Sequence, residues 1–167
     1  MRIALYKGHS LLNKLVRFFS RGEYNHAALI FDDDSCIEAD PFKGVYFHKK
    51  YYDDIDQKNY IIKIYEIKQT PKQSKIIESF AKDQVGKKYD FRAFLGFLFY
   101  TTKETRKERG KWTCSELVFA SFQKAHINLL NQVSAWKVSP SMIGFSPKLI
   151  LQETSIISNE KVKKQCK

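Results

Sequence analysis

The chain has 167 residues, the usual size of one domain, and at 43% hydrophobic and 14% aromatic it can bury a real core, which excludes wholesale disorder. Its net charge is +11, from 29 Lys+Arg against 18 Asp+Glu, a balance that favours anionic partners such as nucleic acid, an anionic membrane surface or an acidic substrate. No run approaches the ~18 apolar residues of a membrane span, and the start, Met1-Arg2-Ile3-Ala4-Leu5-Tyr6, turns polar too soon for a secretory signal.

Basic residues are scattered. The densest stretch, 86–111, has eight positive and three negative side chains and carries no helix-turn-helix spacing or aromatic RNA-binding strand, so a solvated basic surface explains it as well as a polyanion site. Cys36, Cys114 and Cys166 are odd in number and lack metal-ligand spacing. No disulfide framework is expected, and the compartment read from the sequence is cytoplasmic.

Residues 2–6 read as a strand broken by Gly8. Ser10 can cap a helix over 11–19 with an apolar face and a basic face of Lys14 and Arg17. Residues 26–31 and 35–39 read as two strands of a hairpin about Asp32-Asp33-Asp34, with further strands at 45–48 and 60–67. Thr70-Pro71-Lys72-Gln73 starts a helix, with Thr as cap, Pro in the first turn and Gln three residues on; Gly86 closes it. Residues 91–100 read as a buried helix, with a strand as the alternative the pattern allows, 101–111 as a charged loop, 114–126 as an amphipathic helix, and the remainder as a turn at 139–141 with short helical pieces. The end from about Gln152 is polar enough to fray, giving a loosely ordered basic tail over 152–167. No repeat or linker divides the chain, so residues 1–167 are expected to form a single α+β domain.

The most informative segment is Trp112-Thr113-Cys114-Ser115-Glu116-Leu117. Thr113 and Glu116 have capping-box spacing, and Trp112 and Leu117 match a hydrophobic staple at the same helix start. Cys114 should therefore be the first helical residue. Free N–H groups and the positive end of the helix dipole stabilise a thiolate there, and the same N–H groups can donate to an oxyanion. The plainer alternative is a small buried packing residue, as read for Cys36.

A thiol nucleophile needs a base, and the base an orienting group. Of His9, His26, His48 and His126, only His26 opens an apolar strand that needs no histidine to pack; His48 reads as the end of a strand beside Lys49 and Lys50. With a three-residue turn at 32–34, Ala28 pairs with Glu38, which places His26 and Glu38 on one face as diagonal neighbours. A turn of even length would put them on opposite faces. Asp40 is the alternative orienting residue. A half-buried structural histidine and a solvent-facing glutamate are the readings that compete.

Taken together, the run from Lys14 to Leu29, Ile37-Glu38-Ala39 followed by Gly44-Val45, Gly86-Lys87-Lys88-Tyr89-Asp90, and Trp112 to Val118 resemble the YiiX-like, circularly permuted branch of the NlpC-type papain-like superfamily, in that family's order and over roughly 1–120. The resemblance implies a small antiparallel sheet packed against helices that include the cysteine helix. It implies Cys114 as nucleophile, His26 as base, Glu38 as orienting residue and Tyr89 as a hydroxyl donor near the oxyanion. The 101–111 segment departs from the family pattern.

The function these readings lead to is a cysteine hydrolase of peptidase, amidase or deacylase type. It acts on an amide, ester or thioester, with no metal or organic cofactor. Its partners would be peptide, amide or acylated substrates, lipid-like or membrane-associated ones included. Two other classes remain open: a non-catalytic acyl-chain binder on the same fold, and a nucleic-acid-binding protein suggested by charge alone.

Overall fold

The computed structural model describes residues 1–8, 22–51, 60–93, 110–158 and 161–166. The strands are β1 (Arg2–Gly8), β2 (His26–Ile30), β3 (Cys36–Asp40), β4 (Gly44–His48), β5 (Tyr60–Glu66), β6 (Lys88–Tyr89), β7 (Lys111–Trp112), β8 (Ile150–Ser158) and β9 (Lys161–Cys166). The helices are α1 (Pro71–Lys82), α2 (Cys114–Lys124) and α3 (Pro140–Gly144), with a 3₁₀ turn at Ala135–Lys137. The expected helix over 11–19, His9, most of the expected helix over 91–100, and 101–109 lie outside the described residues; 91–93 are helical.

Seven strands form one antiparallel sheet in the order β4-β3-β2-β1-β5-β8-β9, and β6 and β7 form a separate parallel pair. The expected sheet was small, and its end was expected to fray from about residue 152. Instead β8 pairs along β5, from Glu66↔Ile150 to Tyr60↔Ile157, and β9 pairs with β8. The physical reason is that Ile150, Leu151, Thr154, Ile156 and Ile157 supply the β-branched and apolar residues a strand favours, interleaved with polar ones. That alternation suits a sheet margin and does not stand out as an apolar run.

Both faces of the central strands are covered, which is why β2 reads as a nearly continuous apolar run. Ile3, Leu5, Ala27, Leu29, Ile37, Ala39 and Val45 share one core with Ile77 and Ala81 of α1 and Leu117, Val118, Phe119 and Phe122 of α2. On the other face Ala4, Tyr6, Ala28, Ile30, Cys36, Ile62 and Ile64 pack with Tyr51. Cys36 is thus a packing residue.

The helix starts follow their caps. Thr70 and Gln73 make the full reciprocal box at α1, and Thr113 Oγ1 accepts from Glu116 N (3.3 Å) at α2. The Ser-Pro-Ser turn at 139–141 leads into one of the expected short helical pieces: Ser139 caps α3 and Pro140 fills its first position. Among the described residues no helix is long and apolar enough to cross a membrane.

Candidate active site

The β2–β3 hairpin has the register that a three-residue turn dictates. Asp34 takes the left-handed conformation (φ 66) that an Asp tolerates, Phe31 N donates to Ser35 O, and Ala28 pairs with Glu38. His26 and Glu38 then share a face, and His26 Nε2 lies 2.5 Å from Glu38 Oε2. Asp40, the alternative partner, accepts instead from Phe42 N and Lys43 N and closes the β3–β4 turn.

Two side chains from β4, not foreseen in the sequence, complete the surroundings of Glu38. Register pairs Glu38 with Tyr46 and Cys36 with His48. Tyr46 Oη donates to Glu38 Oε1 (2.5 Å), and His48 Nε2 donates to the same oxygen (2.8 Å). An ionised carboxylate only accepts, so each ring carries a proton on Nε2. Tyr6 of β1 faces His26 across the ladder, ring to ring at 5.3 Å. The signal that could have revealed Tyr46 and His48 is the period of two in β4, once the short 41–43 connection sets the register.

Electrostatics follow from this geometry. Burial by itself would raise the Glu38 pKa, but the charge and hydrogen bond of His26, then the hydrogen bonds of His48 and Tyr46, hold it well below the usual carboxylate range. Burial likewise disfavours the His26 imidazolium, yet Glu38 and then Cys114 outweigh it, and the His26 pKa stands well above the ordinary histidine value. Cys114 lies close enough to His26 for its charge and hydrogen-bonding capacity to act on the ring. Since Glu38 holds Nε2, the nitrogen left for the sulfur is Nδ1.

Cys114 opens α2, as its flanking residues predict, and is 5% exposed. The start of that helix is braced on several sides. Ser115 Oγ donates to Val138 O (2.6 Å), and Trp112 Nε1 donates to Gln84 Oε1 (3.1 Å) with its ring edge-on to Phe80. The first-turn N–H groups of α2, those of Cys114 and Ser115, have no intrahelical acceptor. On the histidine side, Ser141 of α3 accepts from Tyr24 N (2.8 Å), two residues before His26. A side chain at Gly22 would overlap Ser141, so only glycine permits that approach.

Tyr89 reaches the site through β6. Gly44 has φ +74, and a Cβ there would lie 2.5 Å from Lys87 O, so glycine alone lets 86–89 lie along β4. Val45 N donates to Lys87 O and Gly86 N to Val45 O, both at 2.8 Å. Tyr89 then sits beside Trp112, close enough to Cys114 and Asp40 to feel their charges. Burial first, then Cys114, Asp40 and Asp90, push its phenol well above the ordinary tyrosine value, so it keeps its proton and remains a donor. The structure thus brings Cys114, His26, Glu38 and Tyr89 into one locality.

No protein-family model matches the chain, and no curated protein does. Among solved structures it is similar to the metalloprotein YiiX from Escherichia coli O157:H7, with a TM-score of 0.62 and 17% identity over 90% of this chain and 93% of that one. At that identity the likeness shows the fold alone. The chain has a YiiX-like α+β fold, an antiparallel sheet packed against helices.

Proposed function

We propose that the protein is a cysteine hydrolase of the circularly permuted, NlpC-type papain-like kind, transferring an acyl group to water through Cys114. The observation that carries this reading is the chain of contacts from Cys114 at the N-terminus of α2 to His26, and from His26 Nε2 to an ionised Glu38. Glu38 holds the proton on Nε2 and Nδ1 faces the sulfur. His26 Nδ1 takes the Cys114 proton, giving the thiolate–imidazolium pair that its raised pKa favours, and the thiolate sulfur attacks the carbonyl carbon of an amide, ester or thioester. The N–H groups at the start of α2 receive the oxyanion, with Tyr89 as second donor. His26 then protonates the leaving group as the carbonyl–heteroatom bond breaks. Water, deprotonated by His26, cleaves the resulting thioester and restores the thiol.

YiiX is described as a metalloprotein. Among the described residues of this chain no group of three or more His, Cys, Asp and Glu side chains could hold a metal ion, so the described donors do not fit one. An activated ester such as p-nitrophenyl acetate tests the reading. Intact-mass spectrometry should find one acetyl group, mapped to Cys114, and none on Cys114→Ser. Absence of that adduct, with acyl chains co-purifying instead, would turn the account toward a binding protein.

A further inference from the structure

The hydrolase reading requires Glu38 to aim one oxygen at His26, and nothing in a glutamate enforces that aim. Its carboxylate rotates freely about the last torsion. A carboxylate bound through Oε2 alone could turn and release the imidazole. In this fold the second oxygen is held by two donors from the neighbouring strand, Tyr46 Oη at 2.5 Å and His48 Nε2 at 2.8 Å. Together with His26 Nε2 at 2.5 Å they define the plane of the carboxylate.

The donors are themselves constrained. Tyr46 and His48 are two apart on β4 and therefore on one face, and their rings contact each other at 4.1 Å. The His48 side chain is 6% exposed and that of Glu38 11%, so water competes little for these bonds. Register is set by the Asp40 turn and by Gly44, the same glycine that seats β6 and Tyr89.

Resting on the hydrolase reading, we propose that Tyr46 and His48 are positioning residues: they lock the Glu38 carboxylate so that Oε2 keeps the proton on His26 Nε2 and leaves Nδ1 toward Cys114. Neither touches the reacting atoms. They act through Glu38, and their loss is felt as a misoriented base. A packing role for the same two residues would lower stability without any particular dependence on Glu38.

The test is a coupling experiment read by the rate of Cys114 alkylation with iodoacetamide, with thermal unfolding measured alongside. Tyr46→Phe and His48→Ala each remove one donor to an ionised acceptor and should slow alkylation about tenfold, in keeping with the size of one charge-assisted hydrogen bond. His48→Gln keeps an N–H donor and should recover the rate to within about threefold of wild type on the same scale. The reactivity profile of the donor-less variants should move toward that of His26→Ala. In a Glu38→Gln background the same two changes should have no further effect beyond about twofold, because their path through the carboxylate is already broken.

The inference is overturned if wild-type alkylation depends on His26 while Tyr46→Phe and His48→Ala react as wild type does. It is also overturned if they slow the reaction equally with and without Glu38. If wild-type alkylation ignores His26, the hydrolase reading itself fails, and this inference with it.

Discussion

Replacing Glu38 by Gln should destabilise the protein in a way that depends on pH, and the dependence has a definite sign. The clean reference is Cys114→Ala, so that no thiolate contributes. Glu38 has a lowered folded pKa, so its stabilisation is present above the unfolded value of about 4.3 and is lost as pH falls toward the lower folded value. His26 has a raised folded pKa, so its stabilisation is complete below the unfolded value of about 6.5 and is lost as pH rises toward the folded value. The pair is therefore worth most between about pH 4.3 and 6.5. In that window, at pH 5.5, removing one member of a buried, hydrogen-bonded pair should cost about 3–5 kcal/mol. At pH 8 an unfolded or unpartnered histidine is already neutral, and between the unfolded and the folded value the benefit falls by about 1.4 kcal/mol per pH unit. The expected cost at pH 8 is therefore smaller than at pH 5.5. Urea unfolding of the two variants at both pH values measures it. A penalty that is equal at the two, or larger at pH 8, would refute the assignment of Glu38 and His26 as a charged pair.

Further outcomes follow from other parts of the site. Tyr89→Phe should slow acetylation of Cys114 by p-nitrophenyl acetate about tenfold, the size of one lost hydrogen bond to a charged group, yet leave iodoacetamide alkylation unchanged, because alkylation forms no oxyanion. Equal losses in both reactions would count against an oxyanion role. Gly44→Ala should lower stability by about 2 kcal/mol or more, from its left-handed φ and the contact with Lys87 O, and should slow acetylation as well by displacing Tyr89. Thermal unfolding and the ester assay read the two effects. Thr70→Ala removes the α1 cap, far from Cys114 in the chain, and should cost about 1 kcal/mol while leaving alkylation untouched.

What could be read in advance was what short-range chemistry determines. The α1 and α2 starts are written in Thr70 and Thr113 and the residues three positions on, so Cys114 could be placed at a helix N-terminus. The Asp32–Asp34 turn is equally local, and from its length alone Glu38 falls beside His26. The parts that escaped depend on a third strand. His48 looks like a strand end followed by two lysines, and only pairing of β4 with β3 turns it inward to Glu38. Tyr6 next to His26 likewise depends on β1 pairing with β2. The last two strands escaped for the same reason. Their polar residues suggest a solvated tail, and their order comes from β5, more than eighty residues earlier in the chain.

The pH dependence of iodoacetamide alkylation at Cys114, mapped by peptide mass spectrometry in wild type and His26→Ala, bears most directly on the central claim. Wild-type Cys114 should be alkylated faster than glutathione at neutral pH, and His26→Ala should slow it strongly. A Cys114 that reacts no faster than glutathione and is indifferent to His26 would contradict it.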